Sequence, residues 1–265
     1  MQNRKSFNYL TVSLIVLSIL FFSCNQLKKT NSDSWASLAP LPLDPAIEAK
    51  IDEILPKLTL EQKVGQVIQA DSGSVTPDEV REYRLGSVLS GGNSAPGPLP
   101  YAEAKAWLEM ADKYYNASID SEGVEIAIPM IWGIDAVHGH ANLKGAIIFP
   151  HNVGLGAMNN PDLIEKIAKI TAHELTISGH DWTFAPTLAV PQDLRWGRTY
   201  EGFSENPDIV NSYGDRIVVG LQGQFDSDDF MGKGKVISSA KHFLADGATQ
   251  NGVDQGDALI SEEAL

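Results

Sequence analysis

The chain has 265 residues, of which 20 are lysine or arginine and 34 are aspartate or glutamate, so its formal net charge is −14. So acidic a chain does not favour a nucleic acid as partner, because phosphate binding needs clustered basic side chains. Its single cysteine, Cys24, excludes a disulfide within the chain, so the fold depends on a hydrophobic core.

Residues 1–24 have the pattern of a secretory signal. Arg4 and Lys5 precede an apolar run at residues 7–22, whose length of about 16 residues is short for a bilayer span. Cys24 resembles the lipidated cysteine of a bacterial lipoprotein; an ordinary signal with a bystander cysteine is the alternative. The polar, proline-containing residues 25–43 are typical of a tether. We therefore predict an exported cell-envelope protein, periplasmic or on the outer membrane, that meets a membrane only through a lipid anchor.

Helices and strands alternate along the predicted domain, residues 44–265. Asp44 and Pro45 begin the first helix, and Thr59 with Gln62 forms a capping box for the second. In chain order we predict a helix at 44–55, a helix at 59–69, a strand at 86–92, a helix at 101–118, a strand at 126–135, a helix at 162–178 capped by Asn160 and Pro161, a strand at 180–186, a helix at 206–223 and a strand at 234–243.

The predicted strands are apolar on both faces, which indicates a parallel sheet covered by helices. A doubly wound nucleotide-binding fold is one alternative, but its nearest phosphate-loop match, "GLGAMNNP" at residues 154–161, lacks the third glycine. Long polar loops follow the strands, whereas the helix-to-strand connections are short. This asymmetry favours an α/β fold of the (β/α)8 barrel type, with its site on the loops after the strands. We expect about five or six of the eight barrel strands in this chain.

Two of these loops carry candidate binding groups. Asp135 ends an apolar strand, where a carboxylate would face the barrel mouth; an N-cap or an ion pair is the alternative. Arg195 and Arg198 lie in "DLRWGR", and arginine forks bind hydroxyls or carboxylates. An ion pair with Asp193 or Glu201 that holds the loop is the alternative for either arginine.

The last predicted strand ends in two adjacent candidates, Lys241 and His242. Lysine supplies hydrogen-bond donors, and histidine can also carry a proton near neutral pH. Indole rings such as Trp132 and Trp182 would complete a pocket in which planar groups pack on sugar C–H faces. The residues alone therefore favour a polyol or sugar site and specify no reaction.

Two other chemistries have weaker signals. His138 and His140 in "HGH" could both ligate a metal only if the loop bends suitably, and no HExxH or cysteine pair accompanies them. The sequence contains no GxSxG, so a serine-hydrolase elbow is not supported. We predict neither a metal nor an organic cofactor.

Three segments carry a family resemblance: "GIDAVHGHANLKGAIIFPHNVGLGA", "FAPTLAVPQDLRWGRTYEGFSE" and "AKHFLADGATQNGVDQGD". In order and spacing they resemble the N-terminal barrel domain of glycoside hydrolase family 3, the retaining β-glucosidases and their exo-acting relatives. The resemblance implies that Asp135, Arg198, Lys241 and His242 bind the sugar in the non-reducing-end subsite.

The catalytic carboxylates of that family have no counterpart that we recognise here. A retaining glycosidase needs a nucleophile and an acid/base about 5 Å apart. The family's nucleophile belongs to an "SDW"-like motif on a later strand; the nearest match, Asp181 in "HDWTF", precedes "RWGR" and is not assigned this role. The resemblance therefore implies that both carboxylates lie beyond Leu265, that the chain is part of a longer protein, and that it has no turnover alone.

The segment "KHFLADGAT" bears on the branch of the family. It lacks the second histidine of "KHFPGHGDT", which is typical of the N-acetylglucosaminidases. We therefore predict a β-glucosidase acting on β-linked glucosides or oligosaccharides. A β-xylosidase or β-N-acetylglucosaminidase is the alternative within the family, and a non-catalytic sugar-binding surface lipoprotein is the alternative outside it. Gln255 stands where some exo-glucanase relatives have glutamate, so finer contacts are not transferred.

Overall fold

A computed structural model of the chain describes residues 43–91 and 94–261. The chain divides into two units, Met1–Asp44 and Pro45–Leu265, and every element reported below lies in the second. The predicted signal, the lipidation of Cys24 and nearly all of the tether fall outside the described residues. None of the helices in the described residues is a candidate membrane span.

Seven α-helices and five β-strands make up the regular structure of the described residues. In chain order they are α1 (Pro45–Ile54), α2 (Leu60–Gln66), β1 (Gln69–Asp71), α3 (Pro77–Tyr83), β2 (Ser87–Ser90), α4 (Ala104–Ser118), β3 (Ile131–Ile134), α5 (Asn152–Met158), α6 (Pro161–Ile177), β4 (Trp182–Thr183), α7 (Pro207–Gln222) and β5 (Ile237–Ser238). Short 3-10 helices cover Leu55–Lys57, Thr199–Glu201, Asp246–Ala248 and Gln250–Gly252.

The five strands form one parallel sheet in the order β1-β2-β3-β4-β5. Each strand pairs with the next along the chain, and the register places Gly133 beside Trp182 and Ile134 beside Thr183. Consecutive parallel strands joined through helices are the arrangement of a (β/α)8 barrel, so the predicted fold class is confirmed, with five strands in the described part. All strands therefore end at the same edge of the sheet, where the loops meet.

The core lies between the sheet and the helices. Trp132 of β3 is 1% exposed and packs edge-on against Trp107 of α4, with ring centroids 6.2 Å apart. The prediction that Trp132 lines a sugar pocket is therefore wrong. The ring is a core residue, and buried indole rings contribute large apolar areas to folding. Helices α6 and α7 approach so closely that an added methyl group at Gly220 would collide with Ala168.

Local signals predict the helix starts well and the short strands poorly. Thr59 and Gln62 form the expected capping box, and the Asn160 side chain accepts from the backbone N–H of Leu163 at the start of α6. The predicted helix at 59–69 is wrong at its end, since α2 stops at Gln66 and β1 follows. A three-residue strand is too short to show a period of two, so β1 was missed.

Two further helices differ from the prediction, and the strands predicted at 126–135, 180–186 and 234–243 are all shorter than expected. Helix α3, which starts with a capping box at Thr76 and Glu79, was not predicted, and α5 begins within the long loop that was expected after the strand at 126–135. The predicted strand at 234–243 is much shorter, because only Ile237–Ser238 pairs regularly with β4. Lys241 forms an isolated bridge with Thr187 beyond that strand.

Candidate sugar-binding site

Asp135 and Lys241 meet at the C-terminal edge of the sheet. Asp135 directly follows β3, and Lys241 is held beyond β5 by a hydrogen bond from its backbone N–H to the carbonyl of Pro186, at 2.9 Å. The Lys241 Nζ atom donates to Oδ1 of Asp135 at 2.6 Å. The Asp135 side chain is 60% exposed, so one face of this ion pair remains accessible at the mouth.

Arg198 carries the second half of the cluster. Its Nε and Nη2 atoms donate to the two carboxylate oxygens of Glu201 at 2.7 and 2.8 Å, a bidentate pair. Nη2 also lies 3.1 Å from Nε2 of His242. Nη1 donates to no acceptor among the described residues. Glu201 strongly raises the pKa of Arg198, chiefly by hydrogen bonding, so the guanidinium stays charged.

The environment of His242 favours a neutral imidazole. A guanidinium has no acceptor, so Nε2 of His242 must accept from Arg198 and carry no proton. Burial lowers the pKa of His242, and the neighbouring Arg198 and Lys241 charges lower it further. Nδ1 lies 2.8 Å from Oδ2 of Asp246 but off the hydrogen-bond direction. In this arrangement His242 acts as a hydrogen-bonding group and not as a cation.

The four predicted residues are therefore brought together, and one neighbour was undervalued. Asp135, Arg198, Lys241 and His242 all lie at the ends of strands or on the loops that follow them. Glu201 was considered only as an ion-pair partner of an arginine. Its pKa is lowered chiefly by the Arg198 hydrogen bond and further by the Arg198 and Lys241 charges, against the opposing effect of burial. The three-residue spacing of Arg198 and Glu201 in "RTYE" was the available signal.

Arg195 and Trp182, two other candidates, lie differently. Arg195 forms a bidentate pair with Asp193, at 2.6 Å for Nη2 to Oδ2, and its side chain is 67% exposed. Its ion-pair alternative therefore accounts for the side-chain hydrogen bonds that it makes within the described residues. Trp182 packs against Phe184 with centroids 4.8 Å apart and donates from Nε1 to Ser239, which places it among interior groups of the sheet.

The remaining titratable candidates do not converge on a common point. The Nδ1 atom of His138 contacts the Phe149 carbonyl at 2.7 Å, whereas Nε2 of His140 contacts Ser178 at 2.9 Å in the core. In residues 43–91 and 94–261, no three His, Cys, Asp or Glu side chains are grouped as metal ligands. Asp181 precedes β4 and accepts from the backbone N–H of Trp132, so it lies at the opposite edge from the cluster.

Most of this chain can be aligned with proteins of known sequence. A profile described as "Glycosyl hydrolase family 3 N terminal domain" matches residues 59–265. The chain is 32% identical over 232 residues to "Lysosomal beta glucosidase" of Dictyostelium discoideum, covering 81% of this chain and 28% of that protein. It is 27% identical to "Periplasmic beta-glucosidase" of Salmonella typhimurium, over 84% of this chain and 27% of that protein.

The fold is also similar to that of a solved structure. The crystal structure of an exo-1,3/1,4-beta-glucanase from a Pseudoalteromonas species superposes with a TM-score of 0.81 at 49% identity, covering 85% of this chain and 28% of that one. The chain thus spans less than a third of the length of these relatives. With the parallel sheet, the loop motifs and the family profile in agreement, the chain belongs to glycosyl hydrolase family 3.

Proposed function

We propose that this chain forms the non-reducing-end sugar site of an exported retaining β-glucosidase, which hydrolyses β-linked glucosides or oligosaccharides by double displacement. The observation that carries the proposal is the convergence of Asp135, Arg198, Lys241 and His242 at one edge of the sheet. A sugar presents a ring of hydroxyl groups, each both a donor and an acceptor. Two cations, a carboxylate and a neutral imidazole provide complementary partners for such a ring.

The contacts suggest how the work is divided. Asp135 is largely exposed and accepts from Lys241, so a sugar hydroxyl that donates to Asp135 would lie within reach of the ammonium group. The Nη1 group of Arg198 provides a further charged donor. Charge-assisted hydrogen bonds of this kind are roughly twice as strong as neutral ones, and a dry site strengthens them further.

The carboxylates of this cluster are assigned to binding, not to bond cleavage. Asp135 is paired with Lys241 and Glu201 is paired with Arg198, whereas a retaining mechanism needs a nucleophile and an acid/base about 5 Å apart across the scissile bond. We therefore propose that the nucleophile and acid/base come from other parts of the enzyme. Residues 1–265 alone should give no turnover.

A direct test uses nitrophenyl β-glucoside with the full-length gene product and with residues 1–265. We expect hydrolysis by the full-length protein, with the β-anomer of glucose as first product by proton NMR, and none by the shorter chain. Faster hydrolysis of the β-xyloside or the β-N-acetylglucosaminide would assign the enzyme to another branch of the family. Sugar binding without hydrolysis by the full-length protein would favour the non-catalytic lipoprotein, and turnover by residues 1–265 would contradict the assignment of the carboxylates.

Export is supported by the predicted signal and by a relative that is described as periplasmic. We further propose that Cys24 carries a lipid. In cells fed radiolabelled palmitate, the wild-type protein should be labelled and sediment with membranes, whereas Cys24→Ser should be unlabelled. An unlabelled wild-type protein in the soluble periplasmic fraction would leave export intact and rule out the anchor.

A further inference from the structure

Asn152, the first residue of α5, is a polar side chain with no exposed surface. Its Nδ2 atom donates to the backbone carbonyl of Glu201 at 2.7 Å. The partner is a carbonyl, so the NH2 end of the amide must face it, and this fixes the orientation of the side chain. Asn152 belongs to no residue set predicted from the sequence, and its hydrogen bond reaches none of the four sugar-site candidates directly.

The loop that Asn152 holds is the one that presents Arg198. Arg198 precedes the 3-10 helix Thr199–Glu201, and the Glu201 side chain returns to grip its guanidinium. Farther along, an added methyl group at Gly156 of α5 would collide with the carbonyl of Phe203, so the loop lies directly on this helix. The backbone of Glu201 is thus fixed to α5 while its carboxylate is fixed to Arg198.

We propose that Asn152 is a positioning residue of the sugar site, acting through Glu201 to hold the Arg198 guanidinium against His242. The inference builds on the proposed glycosidase function. Without the amide donor, the Glu201 carbonyl loses its buried partner, and the 3-10 helix can shift on α5. A bidentate pair tolerates little displacement, and a misplacement of about 1 Å can greatly reduce the catalytic rate. Asn152 itself touches neither substrate nor reacting atoms.

The test compares Asn152→Ala and Asn152→Asp with Leu155→Ala in the full-length enzyme. Leu155 is a core residue of the same helix, and its side chain makes no polar contact with the loop. We expect Asn152→Ala to lower kcat/KM about three- to tenfold, and Asn152→Asp to lower it further because a carboxylate would face a carbonyl. Leu155→Ala should reduce the melting temperature at least as much, with kcat/KM nearly unchanged.

Two readouts separate positioning from general destabilisation. In a Glu201→Gln background, Asn152→Ala should lower kcat/KM little further, because the bidentate Arg198–Glu201 ion pair that Asn152 supports is already lost. In histidine-labelled protein, NMR titration of His242 should show its pKa rising toward the ordinary value in Asn152→Ala and not in Leu155→Ala. Additive costs, or a His242 titration unchanged by Asn152→Ala, would overturn the inference. A wild-type enzyme without glycosidase activity would refute the proposed function, and the NMR titration would still decide the role of Asn152.

Discussion

Replacing Arg198 with alanine is expected to lower kcat/KM of the full-length enzyme for a β-glucoside by about 100-fold. The substitution removes a charged donor from the sugar site, and a hydrogen bond to a charged group contributes about 1.5–3 kcal/mol. It also leaves the largely buried Glu201 carboxylate without its bidentate partner and His242 without its donor. Steady-state kinetics with nitrophenyl β-glucoside, together with the inhibition constant of gluconolactone, measure the effect.

The same loop offers a matched control for this variant. Arg195 lies three residues away and pairs with Asp193, two residues before it, and its side chain is exposed. Arg195→Ala should therefore change kcat/KM less than about threefold, since exposed ion pairs contribute about 0–1 kcal/mol. Arg198→Lys should recover only part of the activity, because lysine keeps the charge and loses the fork. Equal losses for Arg195→Ala and Arg198→Ala would contradict the assignment of Arg198 to the sugar site.

Acidification from pH 7 to pH 5 is expected to destabilise the fold by about 2 kcal/mol through His140 alone. The ring is fully buried, and burial lowers its pKa from 6.5 to about 4. At a pH between these two pKa values, the His140 ring is protonated in the unfolded chain and neutral in the folded chain. The stabilising contribution of the neutral ring is thus complete above about pH 6.5 and is lost as the pH falls toward about 4.

The surroundings of His140 explain why it stays neutral. Its Nε2 atom contacts Ser178 Oγ at 2.9 Å, and the same hydroxyl contacts Nδ1 of His180, also at 2.9 Å. The two rings lie 5.2 Å apart beside Trp107, and burial lowers the pKa of His180 well below its ordinary range. Protonating either ring would place a charge among indole rings and next to a second histidine.

Calorimetry at pH 7 and pH 5 would measure the effect as a shift in melting temperature. His140→Gln should reduce the difference between the melting temperatures at pH 7 and pH 5, even though the variant is less stable than the wild type at pH 7. His173→Gln supplies the control, because His173 is exposed on α6. A pH dependence that is unchanged by His140→Gln would show that other groups cause the acid destabilisation.

Part of the candidate site could be predicted from the sequence because its signals are local. The strand at residues 131–134 ends immediately before Asp135, and the rule that barrel strands present function at their C-terminal ends places this residue at the mouth. Arg198 and Glu201 are three residues apart, so their pairing is also a short-range event. In both cases a few neighbouring residues contain the whole signal.

Other parts required contacts between distant residues. Lys241 and Asp135 are 106 residues apart, so which carboxylate the ammonium group meets depends on how β3 and β5 are placed in the sheet. Trp132 was expected in the pocket, but its side of β3 faces α4, where it is buried against Trp107. Strand composition alone does not say which face of a doubly covered strand meets the site.

The sequence is sufficient to predict the parallel α/β class, several capped helix starts, the family and the four candidate binding residues. Apolar runs, capping residues and loop motifs consist of residues that are close together in the sequence, so they can be recognised without a structure. Contacts between distant elements place His242 against Arg198 as an acceptor, Asn152 against the Glu201 carbonyl, and His140 in the core. Burial and hydrogen-bond direction depend on atoms from several elements at once, and only the packed fold specifies them.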